Sequence, residues 1–118
     1  MSIEKWHIYR ANLDPVIGSE QGKTRPVLVI SEDSINDLIN TVNVIPLTTR
    51  KPDRRIYPNE ALLDTGQFGQ PNESIVLCHQ IRTLDKQRLS FDYGIVNDAT
   101  KQQEILEALC FQLGIPRK

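Results

Sequence analysis

Residues 26–30, Pro-Val-Leu-Val-Ile, form an uninterrupted apolar run between polar neighbours. A run this short, bounded by turn-forming residues, is the sign of a strand covered by apolar material on both faces. Such a strand needs a sheet around it and packing on either side. With 118 residues the chain has room for one domain, read here as residues 1–118. Its core is modest at that size, so a dimer sharing apolar surface is consistent with the length.

The rest of the chain fits short strands. Trp6 to Leu13 is rich in aromatic and apolar residues and predicts a first strand, ended by Asp14-Pro15. Residues 18–24 form a polar loop with two glycines. Residues 31–40 hold one short helical turn, spaced by Ile35, Leu38 and Ile39. Thr41 to Leu47 predicts a strand in which Pro46, lacking an N–H, marks an edge, a bulge or the strand's end. Residues 50–74 are long, polar and rich in Pro and Gly, with a strand around Ile56 to Leu63. Ile75 to Leu84 predicts another strand, with Leu77, His79, Ile81 and Thr83 on one face and Val76, Cys78, Gln80 and Arg82 on the other. Asp92 reads as a turn residue. Asn97 or Asp98 caps a final helix whose apolar stripe is Ile105, Leu106, Leu109, Cys110 and Leu113, and Gly114 and Pro116 stop it. The sum is a small twisted or barrel-like sheet closed by a C-terminal helix.

Composition narrows the function classes. No apolar run is long enough to span a membrane, and the first residues lack the order of a signal peptide, so the expectation is a cytoplasmic protein. Cys78 and Cys110 lack metal-ligand spacing and read as small buried hydrophobes. Carboxylates are scattered, and His7 and His79 each belong to a strand pattern, so no metal site is expected. Residues 18–24 imitate a phosphate-binding P-loop, but its glycines are separated by three residues rather than four, and a strand follows instead of a helix. The net charge of −1 does not advertise a nucleic-acid binder. Local potential is what matters, and basic residues cluster at Lys23 and Arg25, at Arg50, Lys51, Arg54 and Arg55, and at Arg82, Lys86 and Arg88.

Two polar elements end apolar strands. Arg25 stands at the mouth of the 26–30 run, and Thr48, Thr49 and Arg50 follow the strand ending at Leu47. Arginine's planar fork suits a phosphate, and a threonine hydroxyl donates to a second oxygen. A surface ion pair and an ordinary turn explain the same residues, so the pattern alone leaves both readings open.

Residues 14–30, DPVIGSEQGKTRPVLVI, closely resemble the N-terminal signature of the MazF/PemK toxins, a G-x-E-Q loop followed by R-P and an apolar strand. Residues 44–49, VIPLTT, resemble the family's second signature, and residues 74–89, SIVLCHQIRTLDKQRL, its third. The three blocks fall in the family's order and touch most of the chain. One departure is at the start, where Glu4-Lys5 leads into Trp6 in place of the usual Gly-acidic pair.

The resemblance implies a mainly β fold with short helices, an SH3-like β-barrel of the CcdB/PemK type with a C-terminal α-helix, and a homodimer. It implies the toxin of a type II toxin–antitoxin system, a metal-independent endoribonuclease without cofactors that cuts single-stranded mRNA at a short sequence. Its partners would be RNA and a cognate antitoxin protein. Arg25 matches the catalytic arginine and Thr48 the catalytic threonine. Glu20 and Gln21 match the loop bordering the site, and Gln80 and Arg82 the third motif near the substrate groove. Lys23, Thr49 and Arg50 join them as expected substrate contacts.

The implied chemistry uses the RNA's own 2′-hydroxyl, leaving a 2′,3′-cyclic phosphate and a 5′-hydroxyl. A guanidinium is a poor general base at its normal pKa, and Glu20 is the candidate helper. Base selection is expected from loops 17–24 and 50–72, where Tyr57 and Phe68 either stack on bases or join the core. The rival readings are a non-catalytic protein-binding toxin of the gyrase-poison kind and an RNA-binding module on the same barrel. Cleavage without magnesium separates all three.

Overall fold

The computed structural model describes residues 2–117. The chain runs β1 (His7–Asn12), β2 (Thr24–Val29), α1 (Asp33–Asn36), β3 (Thr41–Thr49), β4 (Glu60–Leu63), β5 (Ser74–Leu77), β6 (Arg82–Asp85), β7 (Leu89–Ile95) and α2 (Ala99–Leu113). All ladders are antiparallel, in the order β4-β5-β3-β2-β1-β7, with β6 also on β3.

The apolar run does what its composition requires. Val27 and Val29 enter one buried cluster with Tyr9, Ala11, Leu13, Val42, Val44, Leu84 and Leu89. Leu28 and Ile30 enter the other, with Ile8, Ile45, Leu47, Leu63, Val76, Ile105 and Ala108. Because side chains alternate across a strand, β2 and β3 form the wall between two cores. The first cluster is enclosed by β1, β2, β3, β6 and β7, a barrel-like wrap. The second lies beneath α2. Each buried aliphatic side chain stabilises the fold by ~1.5–3 kcal/mol, so this central wall carries much of the stability.

The final helix follows its local signals. The Asp98 side chain accepts the Lys101 N–H at 3.1 Å, satisfying an otherwise orphaned donor. Gly114 ends the helix in the left-handed region at φ 68°, and the Ile115 N–H returns to the Cys110 carbonyl.

Several expectations shift. Residues 75–84 are not one strand: β5 ends at Leu77, Cys78–Gln80 form a 3-10 turn, and β6 starts at Arg82. The facing predicted for that segment fails at the turn, where Leu77 is buried and His79, expected on the same face, is exposed. Pro46 lies inside β3 rather than at its end. β6 pairs with β3 through Val44 and β5 resumes at Leu47, so the residue without an N–H stands where that edge of β3 has no ladder partner. The strand expected at residues 56–63 covers only Glu60–Leu63. Asp92 lies within β7, an edge strand whose Leu89, Phe91, Tyr93 and Ile95 alternate with Ser90, Asp92 and Gly94, a strand signal that the sequence reading passed over. No helix among the described residues is long and apolar enough to cross a membrane.

Candidate functional site

The β2–β3 ladder pairs Val29 with Val44, Leu28 with Ile45 and Val27 with Pro46. The ladder ends there, and Arg25 and Thr48 stand two residues beyond its last pair, one on each strand. Both project from the face that carries Val27 and Val29, beyond the end of the buried layer. Arg25 is itself paired with Ala11 of β1, so the rim is fixed by three strands. Sequence reading brought these residues together only through resemblance, and the structure sets both beyond the same end of the β2–β3 ladder.

Both side chains are half-buried. Arg25 Nε donates to the Gly22 carbonyl at 3.0 Å, which orients the guanidinium and leaves its terminal nitrogens without a protein acceptor among the described residues. The Thr48 hydroxyl likewise has no protein partner among them, while its backbone pairs with Ile75. A charged fork and a hydroxyl, each with unused donors, have the chemistry that phosphate oxygens accept.

The loop between β1 and β2 closes over this rim. Glu20 Oε1 accepts the Ile17 N–H at 2.7 Å, folding the loop on itself. The Lys23 N–H donates to Asp14 Oδ1 at 2.8 Å, and Lys23 is held at φ 62° with its side chain exposed. A Cβ on Gly22 would lie 2.7 Å from both Asp14 Oδ1 and Val16 Cγ2, so this close turn requires glycine. Gln80 ties the loop to the 3-10 turn by accepting the Gln21 N–H at 3.2 Å and donating to the Ser19 carbonyl at 3.1 Å. The Gln21 Oε1 atom is buried there without a protein partner.

Ser19, Glu20, His79, Gln80, Ile81 and Arg82 line an open pocket of ≈ 430 Å³. Arg82 reaches the Leu13 carbonyl at 3.1 Å, at the end of β1 beside Arg25 and its loop. The structure thus gathers Glu20, Gln80 and Arg82 around the pocket, with Gln21 tied to Gln80 behind them and Arg25 and Thr48 on the adjoining sheet rim. His79, which sequence reading left without a role, is part of the wall. Its signal was hidden, because only the 3-10 turn separates it from Cys78.

Thr49 is exposed and pairs with Ser74. Arg50 turns inward: its Nε donates to the Arg54 carbonyl at 2.9 Å, and Nη1 lies 3.6 Å from Glu73 Oε1. Phe68 packs against the helix-side core, whereas Tyr57 is half-exposed. Burial, reinforced by the Glu60 carboxylate's field, pushes the Cys78 thiol up to about 12, which leaves it protonated and inert. Among the described residues, no group of three or more His, Cys, Asp or Glu is placed to hold a metal ion.

Glu60, missed by sequence reading, is a buried carboxylate beside this region. Burial raises its pKa, but the Arg54 hydrogen bonds, the Tyr57 N–H and the fields of Arg54 and His79 overcome that and hold it below its ordinary 4.5. A depressed folded-state pKa contributes stability above the unfolded value and loses it as pH falls through the folded one. We expect the stability advantage of the wild type over Glu60→Gln to be complete above pH 4.5 and to shrink as the pH drops below it. Urea melts of both proteins across that range check this; a pH-independent difference excludes it.

Comparison with known proteins gives a consistent answer. Residues 4–113 match the model of the family described as PemK-like, MazF-like toxin of type II toxin-antitoxin system. The chain is 40% identical over 115 residues to Endoribonuclease EndoA of Bacillus subtilis, covering 98% of this chain and 97% of that protein. Its fold matches the crystal structure of MazF from Deinococcus radiodurans with a TM-score of 0.81 at 27% identity, covering 98% and 99% of the two chains. It matches an endoribonuclease in complex with its cognate antitoxin from a mycobacterial species with a TM-score of 0.78 at 25% identity, again covering 98% and 99%.

Proposed function

The chain belongs to the PemK-like, MazF-like family of type II toxin–antitoxin toxins, and from that premise we propose that it is an endoribonuclease cutting single-stranded mRNA at a short specific sequence without a metal ion. The observation that supports this most directly is that Arg25 and Thr48 stand beyond the same end of the β2–β3 ladder, with donors unspent among the described residues.

RNA carries its own nucleophile. The 2′-oxygen attacks the adjacent phosphorus in line, the bond to the 5′-oxygen breaks, and the products are a 2′,3′-cyclic phosphate and a 5′-hydroxyl. Charge accumulates on the non-bridging oxygens as this happens. Arg25 supplies charge-assisted donors there and Thr48 a hydroxyl, in a setting where their orientation is already fixed. Gln80, Arg82 and Lys23 border the path of the strand, and Gln21 is held behind it. Thr49 and Arg50 lie on the far side, Arg50 bracing its own loop. Glu20 lines the pocket and accepts the Ile17 N–H through Oε1, which shapes the loop; as a helper in proton transfer it predicts reduced cleavage by Glu20→Gln, and full activity of that variant excludes the role.

We place the protein in the cytoplasm as a homodimer, with RNA and a cognate antitoxin as its partners. A mycobacterial relative crystallised with its antitoxin supports the last of these. The test is incubation of the purified protein with a long unstructured RNA in EDTA, followed by primer-extension mapping of the cut ends. Cuts at one short repeated sequence, leaving 5′-hydroxyl ends, are expected. Bound but intact RNA favours an RNA-binding module, and a folded protein that neither binds nor cuts RNA favours a protein-binding toxin.

A further inference from the structure

The geometry points to Glu60 as a positioning residue for RNA capture: clamped on Arg54, its buried carboxylate sets the conformation of loop 50–59 beside Thr48 and Thr49. This assignment rests on the ribonuclease reading above.

Glu60 opens β4, and its side chain is 3% exposed. Arg54 donates to both carboxylate oxygens, Nη1 to Oε1 at 2.6 Å and Nη2 to Oε2 at 2.8 Å. The Tyr57 N–H donates to Oε1 at 3.0 Å. The Arg54 carbonyl accepts Arg50 Nε, and the Arg50 N–H binds the Glu73 carbonyl at 2.8 Å. A continuous line of hydrogen bonds therefore runs from Glu60 to the residue that follows Thr49. On its other side, Glu60 pairs with Leu77, immediately before the turn that presents His79 and Gln80 to the pocket. One residue thus joins the two segments flanking the site, its carboxylate holding the loop and its backbone pairing with β5.

The clamp also sets what the loop displays. The Tyr57 ring is half-exposed, with the Arg54 guanidinium 5.7 Å and the Arg55 guanidinium 5.5 Å from its centroid. An exposed ring flanked by cations is the surface chemistry that unpaired nucleotides use. Stability alone gives little reason to keep a buried pair here, because well-packed apolar residues of similar volume stabilise as well or better. Its distinctive contribution is directional, since a bidentate fork permits one loop geometry.

The test compares the full-length wild type with Glu60→Gln, Arg54→Lys and the double variant Glu60→Leu/Arg54→Met. For each, kcat and KM on an RNA containing the mapped site are measured alongside amide hydrogen exchange of residues 50–59. We expect faster exchange confined to that loop, and a KM raised by about tenfold with kcat changed far less, the signature of lost substrate positioning. Arg54→Lys keeps the charge without the fork and should fall between wild type and Glu60→Gln, which keeps the assignment testable if a harsher variant fails to fold. Faster loop exchange with unchanged KM in the variants overturns the positioning role alone. Failure of the wild type to cleave RNA removes the ribonuclease reading, and this assignment with it.

Discussion

Arg25→Ala should abolish measurable RNA cleavage, lowering kcat/KM by at least ~10²–10³-fold, the cost typical of losing a preorganised donor to a developing oxyanion. The protein should still fold, because among the described residues the only side-chain hydrogen bond lost is the one from Nε to the Gly22 carbonyl. Thr48→Val is the companion change. It keeps the β-branched shape within β3 and deletes a hydroxyl that has no protein partner among the described residues, so the loss should appear in activity and not in melting temperature. The double variant should be little worse than Arg25→Ala, since groups acting on one transition state are not additive. Cleavage assays on a single-site RNA, paired with thermal melts, decide this. An Arg25→Ala protein within threefold or so of wild type would separate this site from the chemistry.

The second large effect concerns stability. Gly69→Ala should destabilise the fold by roughly 2–4 kcal/mol, because it combines backbone strain with a collision. Gly69 sits at φ 77°, and a Cβ there would lie 2.3 Å from the Tyr93 carbonyl oxygen and 2.9 Å from the Tyr93 Cβ. Backbone in β7 cannot step aside as a flexible side chain would. Relief requires lifting the loop that carries Phe68, packed on the helix-side core, and the buried Gln70. For a domain of this size, the expected fall in Tm is about 10 °C or more. Gly66→Ala is the internal control: its φ is 78°, but nothing lies within 4 Å of the added carbon. The difference between the two variants isolates the contact with β7, and equal losses would show that backbone strain alone is at work.

These two cases mark how far sequence reading reached. Arg25 and Thr48 were named because the blocks around them resemble a toxin family, and both stand beyond the same end of the β2–β3 ladder. Gly69 was passed over. Nothing around it in the chain signals that Tyr93, 24 positions later, packs against its backbone. Arg54 and Glu60 were likewise unremarkable, one among several loop arginines and one at the start of a strand placed four residues too early.

What the sequence determined by itself is what local physics enforces. The run at residues 26–30 reads as a strand covered on both faces, and Val27 to Ile30 are buried in alternation between the two cores. Asp98 and Gly114 bounded the final helix because capping is satisfied within a few residues. Tertiary structure alone decided the rest. That β7 is an edge paired with β1 depends on the assembled sheet, although its alternation of Leu89, Phe91, Tyr93 and Ile95 with Ser90, Asp92 and Gly94 was legible in the chain. The 3-10 turn at Cys78–Gln80 breaks a pattern that reads as one strand, because β5 and β6 pair with β3 on either side of Pro46. The pocket, the Gln80 bridge and the Glu60–Arg54 clamp join residues whose mutual distance depends on strand register and loop closure. Those are properties of the assembled sheet, absent from any window of the chain.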